Sequence, residues 1–167
     1  MKPTMLHLNP IKMRSMILII FFPLSAALAQ SKGGDISIDD VERGRDRVHM
    51  KLTVSFNETK GDEQAFLIFM IATPSSEQLR VAEFQSGDNT YVKFEKADES
   101  PREFAVYLNS RSWNGPAIIY PILVQGPPES FLRVLSVIDG EFDTINQVLN
   151  VIGKSRCKPL TYAEHPL

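Results

Sequence analysis

The sequence predicts an α+β domain built mainly from antiparallel β-sheet, as one sheet or as a β-sandwich of about seven to eight strands in meander-like order, with one C-terminal α-helix. Three observations predict it. Residues 47–56 alternate apolar and polar side chains without interruption. Short apolar runs separated by polar, Gly- or Pro-containing breaks continue from Asp35 to Val124, and from Asp143 onward the apolar positions change to helical spacing. The alternative is an all-β sandwich with a longer helix over residues 131–153, since Phe131, Val134, Leu135, Ile138, Phe142, Ile145, Leu149 and Ile152 also read as one stripe.

The chain begins with an export pattern. Lys2, Lys12 and Arg14 precede the apolar run Met16–Leu24, and the small-residue tripeptide Ala27-Leu28-Ala29 follows, so residues 1–29 read as a signal peptide cleaved after Ala29. Met5 and Met13 are further candidate starts beside Met1. The run from Met16 to Leu28 is shorter than the roughly 20 apolar residues a membrane-spanning helix needs, and Pro23 would end it before the cleavage site. Gln30 and Ser31, with no Cys, follow the tripeptide, which removes the attachment point of a bacterial lipoprotein. The expected product is periplasmic or secreted, with no membrane span after cleavage.

Cleavage would remove three basic residues and no acid, taking the 18 Lys and Arg to 15 against 20 Asp and Glu, a formal charge of −5. That balance opposes nucleic-acid binding. Residues 30–34, with Gly33-Gly34, read as a flexible N-terminus and residues 35–153 as one globular domain.

Within the domain, Val48, Met50, Leu52, Val54 and Phe56 point to one face of a strand and Arg47, His49, Lys51, Thr53 and Ser55 to the other. Ala65–Thr73 is apolar almost throughout, the pattern of a central strand covered on both faces. Leu79 and Val81 share one parity and Ala82 and Phe84 the other, so a bulge at Val81-Ala82 would keep all four inward. Val92 and Phe94, then Phe104, Val106 and Leu108, continue the buried face. Ala117–Val124 contains Pro121, which places that strand at an edge or at a bulge. Phe131–Ile138 reads as the next strand, hairpinned through Gly126-Pro127-Pro128-Glu129-Ser130. Ile145, Val148, Leu149 and Ile152 make a helix ended by Gly153, with Glu141 and Asp143 at its N-terminal end, and residues 154–167 read as a tail.

Chemical motifs are sparse. The mature chain has His49 and His165, too few for an imidazole metal centre, and Asp35, Asp39, Asp40 and Glu42 lack the spacing of an EF-hand loop. There is no Gly-x-Ser-x-Gly elbow, no His-Glu-x-x-His pair and no phosphate-cradling Gly-rich loop, so the sequence assigns neither a catalytic residue nor a cofactor. Asn57-Glu58-Thr59 matches a glycosylation acceptor, relevant only in a eukaryotic secretory pathway. The binding candidates are Arg111, Trp113 and Asn114 in the loop Asn109–Pro116, because Trp and Arg combine large contact area with a polar handle. The competing reading seats Trp113 over the open end of the sheet as a core plug.

Cys157, the only cysteine, cannot form an internal disulfide and is the candidate for a bridge between chains, with Lys154, Arg156 and Lys158 nearby to favour its thiolate. Otherwise it is an unpaired residue beside the tail. The functional expectation is a non-enzymatic binding or assembly protein of the bacterial envelope whose partner is another envelope or extracellular protein. The alternatives are a small secreted hydrolase using carboxylates and a carrier of apolar ligands.

Overall fold

The computed structural model describes residues 33–57, 59–73, 78–84, 90–94, 101–110 and 115–167. The proposed leader lies outside them. Among the described residues are nine strands, all paired antiparallel in two sheets, and two helices. None of these helices is long and apolar enough to cross a membrane.

The first sheet joins β1 (Gly34–Arg43), β2 (Arg47–Phe56) and β6 (Arg102–Asn109) in the order β1-β2-β6. Its inner face is the alternation read in the sequence: Val48, Met50, Leu52 and Val54 are fully buried and Phe56 nearly so, while Arg47, Lys51 and Tyr107 are exposed on the other face. The second sheet centres on β3 (Gln64–Ala72). One edge of β3 pairs with β4 (Leu79–Val81) and β5 (Tyr91–Phe94), and the other with β7 (Ile118–Gly126). Being central, β3 is covered twice. Ala65, Leu67, Phe69 and Ile71 enter the core between the sheets, and Phe66, Ile68 and Met70 enter a second core under the helices.

That second core corrects the sequence reading of residues 131–138. They form not a strand but part of α1 (Pro128–Ile138), and the longer 131–153 helix is also absent, because the chain turns at Asp139–Thr144 before α2 (Ile145–Lys154). Pro128 stands in the first turn, where a helix loses nothing from its missing N–H, so the Pro-Pro pair starts a helix and does not turn a hairpin. Phe131, Val134 and Ile138 then point to the sheet, and Phe131 stacks on Phe66 with ring centroids 3.8 Å apart. Val148 and Ile152 of α2 complete the layer.

The order of strands is also not a meander. β5 pairs with β3 and β6 with β2, so the chain changes sheets between them. The segment after β4 changes sheets as well. The N–H of Ala82 donates to the Phe69 carbonyl at 2.8 Å, the N–H of Asn109 donates to Glu83 O at 2.8 Å, and Phe84 bridges Leu108 of the first sheet. The parity break at Val81-Ala82 therefore divides side chains between cores: Leu79 and Val81 lie under the helices, Ala82 and Phe84 between the sheets. A bulge keeping all four on one face does not form.

At the other edge, Gly33 and Gly34 of the expected flexible N-terminus and residues 154–167 of the expected tail lie in the sandwich, while residues 30–32 fall outside the described residues. Gly33 and Gly34 pass so close to β7 and to β8 (Lys158–Tyr162) that a Cβ on Gly34 would fall 2.8 Å from Leu123 Cδ2 and 3.0 Å from Ser55 O. A side chain there would force those neighbouring atoms to move, which favours glycine. β8 and β9 (His165–Pro166) both pair with β7, which places Pro121 inside the sheet and not at its edge.

Pro121 is accommodated by a local defect. Its carbonyl accepts the Ala163 N–H at 3.1 Å, so its nitrogen, which has no hydrogen to give, faces the same neighbour. Tyr162 lies opposite Ile122 and His165 opposite Ile119, the same offset. β8 and β9 are thus one edge strand interrupted where Pro121 withholds a donor.

Candidate functional site

Strand directions bring five separate segments to one end of the second sheet. β3 finishes there at Ala72, followed by Thr73; β4 begins at Leu79; β7 begins beyond Pro116 and Ala117; α2 begins at Ile145; and the edge strand finishes at Pro166 and Leu167. Between them lies a groove of about 590 Å³ lined by these residues with Ile118, Tyr120, Asp143 and Thr144. That volume and a largely apolar wall with few polar groups are the attributes of a binding site.

Backbone chemistry holds the wall. Leu79 and Phe142 exchange two hydrogen bonds, N–H to O at 2.7 and 3.1 Å, which fasten β4 to the link between the helices. Arg80 and Glu141 pair across the same junction. Thr144 caps α2 by accepting the Gln147 N–H at 3.3 Å, while Gln147 Oε1 accepts the Asp143 N–H at 2.9 Å. These reciprocal bonds fix Asp143, Thr144 and Ile145 at the rim. The Leu167 N–H donates to Ala117 O at 2.8 Å and holds the opposite wall.

Tyr120 is the titratable wall residue most affected by its surroundings. Burial pushes its phenol above the ordinary 10.0, with Glu164 and Tyr162 acting in the same direction. Asp143 and the nearby Glu164 give this end of the sheet a negative rim. The described lining carries one carboxylate, Asp143, and so does not supply the pair that flanks a glycosidic bond in a hydrolase.

Arg111, Trp113 and Asn114 lie outside the described residues. The chain on either side locates their attachment: Ser110, nearly fully buried, donates its N–H to Asp46 O at 3.0 Å, and the chain re-enters at Gly115 and Pro116, the latter in the groove wall. In sequence, residues 111–114 connect β6 to β7.

Cys157 sits at the opposite end of β7 and is not part of the groove. It is 4 % exposed in the helix-side core, and a Cβ on Gly126 would fall 2.8 Å from its Sγ. Burial pushes its thiol up, with Glu63 adding to the effect, against the expectation that flanking cations would favour a thiolate. Forming the disulfide expected between chains would require this corner to open.

The other sequence candidates are dispersed. His49 stacks on Tyr107 with ring centroids 4.6 Å apart, and its Nδ1 is 3.7 Å from Glu42, on the outer face of the first sheet; His165 is in the second sheet. Asp39 accepts the hydroxyls of Ser37 and Thr53, and Asp40 pairs with Lys51. Among the described residues no group of three or more His, Cys, Asp or Glu side chains is placed to hold a metal ion.

The sequence reading did not find the groove. Its walls come from five distant segments, and the local signal available was Thr144-x-x-Gln147, a helix-start pattern that locates the rim but not the space beside it. The fold and groove define a two-sheet antiparallel domain with helices on one face and an apolar recess at the end of the helix-covered sheet. Comparisons with family models, with curated proteins and with solved structures find no match for this chain.

Proposed function

We propose that this is an exported, non-enzymatic binding protein of the bacterial envelope that engages a polypeptide partner through the groove, with Arg111, Trp113 and Asn114 as further contacts. The observation that carries the reading is an apolar groove of about 590 Å³ whose wall includes Pro116 and Ala117, which follow that loop in sequence. An apolar side chain removed from water there gains about 1.5–3 kcal/mol, while Thr73, Tyr120, Asp143 and Thr144 offer polar contacts that set orientation. Export rests on the leader pattern of residues 1–29. The proposal makes no use of Cys157.

The test is affinity capture from envelope extract with the wild-type chain, Ile145→Asp and Trp113→Ala. Asp at the first residue of α2 suits the helix dipole while placing a charge in the groove wall. Loss of the captured partner by both variants, with far-UV circular dichroism showing that each is folded, is expected. Retention by both contradicts the reading. The apolar wall also favours a second reading, a carrier of small apolar ligands, which native mass spectrometry of source-purified protein would show as a persistent added mass.

A further inference from the structure

The groove is partly walled by the chain's own extended segment. Pro166 and Leu167 line it, opposite Ile118 at the start of β7 and Ala117 just before it. This short stretch is attached past a defect. Because Pro121 has no N–H, the bond it would return to Ala163 is missing, and pairing resumes over only His165 and Pro166, closed by the Leu167 N–H on Ala117 O at 2.8 Å.

Resting on the polypeptide-binding reading above, we propose that His165–Leu167 occupies a place that an extended partner segment takes over, pairing with β7 along Ala117–Ile119 and setting a leucine-sized side chain in the groove beside a basic residue. Leu167 shows what the place accepts: an extended backbone bearing one branched apolar side chain, packed at the margin of the core between the sheets. The basic neighbour follows from the charges of the described residues. Asp143 lines the groove and Glu164 stands beside Tyr120, while the cation of Arg80 is paired with Glu141. The exchange is β-strand addition in which an internal strand end gives way to an external one.

The probe is a fluorescein-labelled peptide with the sequence of residues 160–167, tested by anisotropy against the full chain and against a chain ending at Ala163. A built-in segment that holds its place nine-tenths of the time weakens apparent affinity about tenfold, so the shortened chain is expected to bind about tenfold more tightly. A peptide carrying Glu164→Lys is expected to bind both chains more tightly than the unaltered peptide. In the full chain, Pro121→Val restores the missing donor and is expected to weaken peptide binding.

Hydrogen exchange on the unaltered protein is independent of whether the shortened chain folds: the His165 and Leu167 amides are expected to exchange faster than those of β8. Equal affinity of the two chains, or exchange at His165 and Leu167 as slow as in β8, overturns strand replacement. If the affinities are equal and Ile145→Asp abolishes both, the groove still binds peptide and only the replacement fails. If Ile145→Asp leaves binding intact, the binding-site reading fails with it.

Discussion

At Cys157, burial outweighs neighbouring charge. Lys154, Arg156 and Lys158 surround it in sequence, yet the sulfur lies among helix-side core residues against Gly126, where a thiolate loses its hydration. The consequence for stability has a definite sign. In the unfolded chain the thiol ionises around its ordinary 9.0, and the fold, holding it protonated, raises that value. The stabilising contribution is therefore complete below 9.0 and is lost as pH climbs through the raised folded value. Urea titrations across this range should show stability falling more steeply in the wild type than in Cys157→Ala, which retains the higher-lying contribution of Tyr120. Parallel slopes would place the thiol outside the core. A second residue departs from local expectation: Gly153 lies within α2, and the left-handed conformation after the helix falls to Arg156, with φ of 61°.

At the scale of elements, legibility followed the strength of the local pattern. β2 was readable to its ends because one wet and one buried face impose strict alternation, and β3 because two cores require apolar residues on both faces. Residues 131–138 were ambiguous in isolation, and the deciding feature was Pro128 in the first turn of α1. The edge strand was illegible because Pro159 and Pro166 discourage regular structure locally, whereas β7 supplies its partner from a distant segment. The groove was illegible for the same non-local reason. α2 carries the clearest element-scale prediction: Thr144→Ala removes the side-chain cap on the Gln147 N–H and should cost about 1 kcal/mol in denaturant unfolding. Because Thr144 lines the groove, the same change should also loosen Asp143 and Ile145, visible as faster amide exchange over residues 145–148. Unchanged stability and exchange would mean that the cap does not hold the rim.

Across the whole molecule, the two faces of the sandwich have different chemistry. The first sheet turns outward a polar surface with local contacts, Glu42 beside His49, Asp40 beside Lys51 and Arg47 over Tyr107. The second sheet carries the helices on one face, and the groove lies at one of its ends. That recess is apolar and its wall includes Pro116 and Ala117, and the proposed function rests on it. The most direct measurement is photo-cross-linking to the captured partner from a photoreactive amino acid placed at Ile145, compared with the same amino acid at Tyr107 on the outer face of the first sheet. A cross-link to partner from position 145 and none from position 107 is the expected result; a cross-link from position 107 alone would contradict a binding site in the groove.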